Sequence, residues 1–120
     1  MHGVAVTEVI VTDEFVGWYE ELSDAHRESV VHSVGLLEQM GTQLLFPHSS
    51  DLKGTRYALR ELRVKAHGAQ IRIAYAFDPA RNAVLVLGGT KVGDDRFYRW
   101  FIPQAESVWE QYLKEQGVKP

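Results

Sequence analysis

Three strand patterns follow one another between residues 56 and 90, and only short links separate them. The predicted strands span Arg56–Lys65, Gln70–Phe77 and Ala83–Thr90. The first link contains Gly68 and the second contains Pro79, and both compositions are typical of hairpin turns. Such turns join antiparallel neighbours, so we predict a small, antiparallel-rich sheet in this part of the chain.

Helical patterns stand on both sides of these strands. A β-branched first strand, Val4–Thr12, is followed by apolar residues at helical spacing from Asp13 onward. Ser23 is the expected N-cap of a second helix that ends at Gly41, residues 42–54 form a loop, and a last helix spans Pro103–Gln116. The order β, α, α, β, β, β, α predicts an α+β fold with an N-terminal helix hairpin, a C-terminal helix and helices on one side of the sheet.

The middle strand predicts which face of the sheet is open. Ile71, Ile73, Tyr75 and Phe77 alternate with a second set, so they are expected to face a helix-covered core. The second set combines Arg72 with alanines, and we expect it to form an open, shallow floor. Arg63 on the preceding strand shares its face with Glu61, so an arginine–carboxylate pair across the strands is also available; such a pair contributes little if exposed.

Length and composition limit the classes of protein. The 120 residues are typical of one domain, 1–120. The absence of cysteine excludes a disulfide framework, a thiolate nucleophile and a cysteine zinc site, and no two of the five histidines have zinc-site spacing, so we expect no metal and no cofactor. No apolar run reaches the roughly 18–20 residues of a membrane span, and the N-terminus does not resemble a signal peptide. A cytoplasmic protein without membrane contact is the resulting expectation.

Charge divides along the chain. Residues 1–52 hold one basic residue against nine acidic ones, a net charge of −8. Residues 53–99 hold ten basic residues against four acidic ones, a net charge of +6. The basic part indicates either a local anion-binding face or arginines that decorate a solvated sheet edge.

Several short motifs in the basic part occur in a recognisable order. They are Leu52-Lys53-Gly54, Glu61-Leu62-Arg63, Arg72-Ile73-Ala74-Tyr75 and a hydrophobic strand that ends at Lys91. In order and spacing they resemble the RelE/HigB superfamily of bacterial toxins, and the HigB-like, phage Gp49-like branch best. The resemblance implies a RelE-like microbial RNase fold and the toxin of a type II toxin–antitoxin pair. Such a toxin cleaves mRNA, usually on the ribosome, and inhibits translation. Its implied partners are mRNA, the ribosome and a small HigA-like antitoxin with a helix-turn-helix domain, encoded nearby.

The resemblance also implies roles for individual residues. Arg72 matches the strand arginine that contacts the scissile phosphate, and Lys91 matches the basic residue after the final strand. Arg63 matches the basic residue on the strand that precedes Arg72, and Lys53 matches the basic position in the loop before that strand. The chain departs from the family pattern at Glu61, where RelE itself carries a lysine. It departs again after Lys91, where Val92-Gly93-Asp94-Asp95 replaces further lysines, and in its acidic overall charge.

The residue types suit RNA cleavage without a metal. The ribose 2′-hydroxyl is the nucleophile, so the protein must align it, neutralise the developing charge and move protons. We predict that Arg72, Arg63 and Lys91 hold one phosphate, because a guanidinium binds phosphate oxygens in a bidentate manner. Tyr98, His48 and His67 are candidates for proton transfer, and Tyr98 completes the predicted catalytic set. The predicted RNA-binding residues are Lys53, Arg56, Arg60 and His48.

Two other functions fit the same fold. A ParE-like toxin would inhibit DNA gyrase, and a supercoiling assay would reveal it; ParE toxins generally lack the basic set found here. A catalytically inactive RNA-binding or antitoxin-binding member would retain RNA affinity without cleavage, and Glu61 and the Asp94-Asp95 pair favour it.

Overall fold

The computed structural model describes residues 6–119 of the chain. Its elements follow the predicted order, with one additional strand and a longer final helix. The first strand is shorter than the predicted Val4–Thr12, and residues 4 and 5 of that prediction lie outside the described residues. The elements are β1 (Val9–Val11), α1 (Asp13–Glu20), α2 (Asp24–Met40), a 3-10 turn (Gly41–Gln43), β2 (Ser49–Asp51), β3 (Arg60–Ala66), β4 (Ala69–Phe77), β5 (Ala83–Thr90) and α3 (Asp94–Glu115).

The strands of the described residues form one five-stranded sheet in the order β1-β5-β4-β3-β2. β1 pairs with β5 in parallel, and the three other pairings are antiparallel. The hairpins β3–β4 and β4–β5 confirm the predicted antiparallel-rich sheet and the α+β class. In the β3–β4 ladder Arg63 lies directly opposite Arg72. This register places two guanidinium groups side by side on one face.

The hairpin of α1 and α2 covers one face of the sheet. Thr12 and Ser23 cap these helices, because each side-chain oxygen accepts a hydrogen bond from a backbone N–H three residues later. The helices bury their apolar stripes against the strands and form a core that includes Phe15, Val30, Leu37, Leu62, Val64, Ile71, Ile73 and Tyr75. The predicted helix-covered face is therefore confirmed.

The final helix packs on the opposite face, so the prediction that helices lie on one side only is wrong. It begins at Asp94 instead of Pro103, and Pro103 lies inside it. Phe97, Phe101, Ala105 and Trp109 recur every four residues and are all buried against the sheet. Burial of three aromatic side chains outweighs the one backbone hydrogen bond that an internal proline removes.

The alanines of β4 do not form an open floor. Ala74 is fully buried and Ala76 is 2% exposed, because α3 lies over them. Small side chains on a strand let a helix with aromatic residues approach the sheet closely. The predicted open face is therefore wrong for this part of β4.

Two consecutive glycines of β5 permit close packing on both faces. A Cβ atom on Gly88 would lie 2.2 Å from the Trp18 ring, and one on Gly89 would lie 2.9 Å from the rings of Phe97 and Trp100. Neighbouring strand residues point to opposite faces, so α1 and α3 each place an aromatic ring against the bare backbone.

Among residues 6–119, no helix is both long enough and apolar enough to cross a membrane.

Candidate functional site

Glu61 lies at the centre of the predicted catalytic residues. Its Oε1 accepts a hydrogen bond of 2.6 Å from the Tyr98 hydroxyl and lies 3.6 Å from Nε of Arg72. Its Oε2 lies 3.6 Å from Nη1 of Arg63. The ammonium group of Lys91 lies 5.7 Å from the centroid of the Tyr98 ring. The structure thus brings Arg63, Arg72 and Tyr98 together around a single carboxylate, with Lys91 beside the Tyr98 ring.

The strand register explains why a carboxylate is needed there. Arg63 and Arg72 are directly opposite each other, and like charges in that position destabilise a sheet. Glu61 precedes Arg63 by two residues and therefore lies on the same face. The carboxylate of Glu61 compensates the positive charge of both guanidinium groups. The predicted arginine–carboxylate pair is therefore confirmed, with two arginines instead of one.

Arg72 is buried, with 4% of its surface exposed. Its Nη1 donates to the carbonyl oxygen of Ile71 at 3.1 Å, and its Nη2 donates to Oε1 of Gln70 at 3.3 Å. Within residues 6–119, its Nε has no hydrogen-bond partner. Because a guanidinium does not lose its proton, this burial depends on the charge of Glu61. Arg72 therefore lies behind Glu61 and not on the open floor that its strand pattern predicts.

Tyr98 lies in the first turns of α3 and points at Glu61. Burial, together with the hydrogen bond to Glu61, raises the pKa of Tyr98 to about 12. The phenol is therefore protonated at neutral pH and acts as a hydrogen-bond donor. This position follows from the early start of α3, which the predicted helix boundary did not include.

Lys91 follows β5 and forms an ion pair with the start of α3. Its Nζ lies 2.6 Å from Oδ1 of Asp94, whose side chain is 75% exposed. The hydrogen bond and the charge of Lys91 lower the pKa of Asp94 below its ordinary value. The Val92-Gly93-Asp94-Asp95 stretch thus forms the turn into α3 and supplies a counter-ion for Lys91. Because the carboxylate is exposed, the pair is weak and open to exchange with another anion.

A cleft of about 720 Å³ opens beside Glu61. Four predicted site residues line it, namely Arg63, Tyr98, Lys53 and Arg60. Its remaining walls come from the loop after α2, from β2 and from Ile102 of α3. Arg63 is the predicted phosphate-binding arginine that reaches this cleft, since 31% of its side chain is exposed.

The basic residues outside the cluster have different surroundings. Lys53 is exposed on the wall of the cleft. Arg60 is largely enclosed: its Nη1 lies 2.5 Å from Oδ1 of Asp51, and its Nε donates to Oγ of Ser49 at 3.1 Å. Through these contacts the side chain of Arg60 joins β3 to β2.

Arg56 and His48 lie outside the lining of the cleft. Arg56 forms an ion pair of 2.9 Å with Glu110 near the end of α3. His48 is exposed, and its backbone carbonyl accepts a hydrogen bond of 2.8 Å from the amide of Arg63. His67, the other candidate histidine, stacks on His26 beside α2. No histidine of the described residues lines the cleft.

Two features of this site do not follow from the sequence patterns. The patterns indicate Glu61 as the partner of an arginine, but not its position between two arginines at the cleft. They also give no role to Phe46, whose ring centroid lies 5.5 Å from Cζ of Arg63. The signal for Phe46 was a pair of large apolar residues, Leu45 and Phe46, in a predicted loop with no core pattern to absorb them.

Residues 6–119 contain no group of three or more histidine, cysteine, aspartate or glutamate side chains arranged to hold a metal ion. The cleft offers the guanidinium group of Arg63, the carboxylate of Glu61 and the phenol of Tyr98, with the guanidinium of Arg72 buried behind Glu61 and the ammonium group of Lys91 beside the Tyr98 ring. Such a set suits recognition of an anion with a protonatable oxygen beside it.

Comparison with known proteins identifies relatives over nearly the whole chain. The family described as phage-derived protein Gp49-like matches residues 17–110. The protein named "Putative toxin HigB3" of Mycobacterium tuberculosis strain H37Rv is 36% identical over 112 residues, which cover 90% of this chain and 95% of that protein. "Putative toxin HigB2" of the same strain is 28% identical over 135 aligned positions, which cover 99% of this chain and 66% of that protein.

Proposed function

The chain belongs to the phage-derived Gp49-like family and is a HigB-like toxin of the RelE/HigB type, and we propose that it acts as an endoribonuclease on mRNA. Cleavage takes place on the ribosome and inhibits translation. The antitoxin that binds this chain is a HigA-like protein with a helix-turn-helix domain, encoded nearby. The observation that carries the nuclease proposal is the cluster in which Arg63, Glu61 and Tyr98 meet at the cleft.

The substrate supplies the nucleophile in the proposed reaction. The 2′-oxygen of a ribose forms a bond to the adjacent phosphorus, the bond from phosphorus to the 5′-oxygen breaks, and a 2′,3′-cyclic phosphate results. The protein must hold the phosphate and stabilise the charge that develops on its oxygens. Arg63 is suited to this role because its fork of donors reaches the cleft, and Lys53 adds a positive charge on the wall.

Glu61 is the proposed acceptor of the 2′-hydroxyl proton. It is a carboxylate next to the phosphate-binding arginine, and it lines the cleft. Asp51 also lines the cleft, but its ion-pair partner is Arg60 and not the phosphate-binding Arg63. The leaving 5′-oxygen takes its proton from water on the opposite side of the phosphorus, because attack and departure are in line. Tyr98 lies 2.6 Å from Glu61 on the same side, so we assign it to orient the carboxylate.

Arg72 and Lys91 lie behind the residues that line the cleft. The buried guanidinium of Arg72 holds the Glu61 carboxylate in position. Lys91 lies at the edge of the cluster and contacts the Tyr98 ring. We therefore propose Arg72 as a positioning residue, in place of the direct phosphate contact that the family resemblance implies for it.

One observation favours a second function, that of an inactive member that binds RNA or the antitoxin. Glu61 occupies the space between both arginines, so an incoming phosphate must compete with this carboxylate. If the carboxylate is never displaced from Arg63, RNA binds the cleft without being cleaved.

Expression without the antitoxin, followed by mapping of transcript ends, tests the proposal. Arg63→Ala should relieve growth arrest and slow cleavage about 10²- to 10³-fold, the usual cost of one transition-state donor. Arg63→Lys should recover only part of the activity, because lysine keeps the charge without the fork. Arg99→Ala is the matched control, since Arg99 is exposed on α3 outside the lining of the cleft, and it should cleave like the wild type.

Two results would contradict the nuclease proposal. If Arg63→Ala keeps full toxicity, the phosphate contact does not depend on Arg63. Wild-type protein that arrests growth with intact transcripts, and that inhibits DNA supercoiling by purified gyrase, would instead support the ParE-like function.

A further inference from the structure

Phe46 is an exposed aromatic residue at the edge of the cleft. Its surface is 73% exposed, and that of the preceding Leu45 is 62% exposed. Both residues line the cleft. Large apolar side chains that face water beside a cleft are typical of a binding surface.

The loop that carries Phe46 is held in place on both sides. The amides of His48 and Ser49 both donate to the carbonyl oxygen of Leu45, at 3.1 and 3.2 Å. After the loop, the carbonyl of His48 binds the amide of Arg63 in β3. The ring of Phe46 is therefore presented by hydrogen-bonded backbone, at a fixed distance from the strand that carries the phosphate-binding arginine.

The side chain of Phe46 contacts that arginine directly. Cζ of Arg63 lies 5.5 Å from the ring centroid, which is within the range of a cation–π contact. Because most of the ring is still exposed, a second planar group has access to it. Arg63 thus has a carboxylate on one side and an aromatic ring on the other.

We propose that Phe46 is a stacking platform for the nucleobase next to the phosphate that Arg63 binds. This inference rests on the proposed function, because it requires single-stranded RNA in the cleft. Proteins that read unpaired RNA stack its bases on aromatic side chains, and a phosphate contact beside such a side chain fixes the nucleotide at two points. Stacking on Phe46 would select unpaired segments, since a base inside a duplex does not offer its face.

The placement of Phe46 favours a base over an apolar segment of a protein. An apolar protein segment that covered Phe46 and Leu45 would also cover the exposed ammonium group of Lys53 and remove it from water. A nucleotide brings a phosphate to the cations and a ring to the phenylalanine, so both kinds of group find a partner.

Binding of a labelled single-stranded RNA to the full chain tests the proposal. The RNA carries 2′-O-methyl groups to prevent cleavage, and a second RNA has the same backbone with abasic positions. Phe46→Ala should weaken binding of the complete RNA about 5- to 150-fold, as expected for loss of one stacked base. Phe46→Trp should bind about as well as the wild type. Val92→Ala is the control, because Val92 is 74% exposed outside the cleft lining.

The abasic RNA separates stacking from other effects. If Phe46 stacks a base, the wild type and Phe46→Ala should bind the abasic RNA equally. An equal loss on both RNAs would overturn the proposal and show that Phe46 only holds Arg63. Unchanged binding by Phe46→Ala, with a loss in Arg63→Ala, would overturn the stacking inference and leave the proposed function standing. Wild-type protein that binds neither RNA would overturn the stacking inference, because the cleft would not hold single-stranded RNA by itself. The proposed function, which places cleavage on the ribosome, is tested separately by the mapping of transcript ends.

Discussion

The buried pair of Glu61 and Arg72 offers the sharpest test of how the cluster is held. Their side chains are 8% and 5% exposed, and the closest charged atoms are 3.6 Å apart. Replacement of Glu61 by alanine leaves the guanidinium of Arg72 buried without a compensating charge. Removal of one partner of a buried pair costs about 3–5 kcal/mol. Because the contact of 3.6 Å is longer than a hydrogen bond, we expect the lower end, about 3 kcal/mol.

The same figure predicts a shift in melting temperature. Unfolding entropy is about 2.1 cal/mol/K per residue, so for a chain of this length 1 kcal/mol corresponds to about 4 °C. Glu61→Ala should therefore lower Tm by about 12 °C. Thermal and urea unfolding, followed by far-UV circular dichroism at neutral pH, measure the two quantities independently.

A double-mutant cycle assigns the loss to the pair. Arg72→Met removes the charge and keeps most of the side-chain volume, so the double variant Glu61→Ala/Arg72→Met should lose less than the sum of the two single variants. We expect a coupling free energy of about 1–3 kcal/mol. Additive losses, or a Glu61→Ala variant within about 1 kcal/mol of the wild type, would show that Glu61 does not compensate Arg72.

Two further predictions concern Tyr98 and Gly88. The pKa of Tyr98 is raised from 10.0 to about 12, so its contribution to folding is complete below about pH 10 and is lost as pH rises through 12. In that alkaline range the unfolding free energy of the wild type should fall more steeply than that of Tyr98→Phe, and equal slopes would contradict the assignment. Gly88→Ala would place a Cβ atom 2.2 Å from the Trp18 ring, so urea unfolding should show a loss of about 1–3 kcal/mol. An alanine variant as stable as the wild type would refute that packing argument.

The strands were predictable because their signals are local. Alternation within β4 and the turn residues on either side of it determine the hairpins, and observed β5 has the predicted bounds, Ala83–Thr90. The start of α3 was not predictable in this way. Pro103 resembles a first-turn proline, and only packing of Phe97 and Phe101 on the sheet shows that the helix begins earlier. The three residues of β2 are too few for any periodicity to identify them.

The sequence indicated which side chains would lie near one another and less about their geometry. The motifs gave Arg63, Arg72 and Lys91, and the search for a proton-transfer group gave Tyr98; these four side chains lie near one another. Burial of Arg72 depends on where α3 lies, and a strand pattern contains no information about the layer that covers it. The environment of Glu61 depends on the β3–β4 register, which sets two arginines opposite each other.

The division of charge along the chain becomes a division in space. The α1–α2 hairpin carries seven acidic residues and one basic residue, a net charge of −6. It covers one face of the sheet. Because the whole chain has a net charge of −3, the remaining residues carry +3. The molecule is therefore an electric dipole. The electric field of a polyanion exerts a torque on the protein, which turns the acidic hairpin away from the polyanion before the two molecules come into contact. Added salt removes this orientation, because the screening length falls below the thickness of the protein.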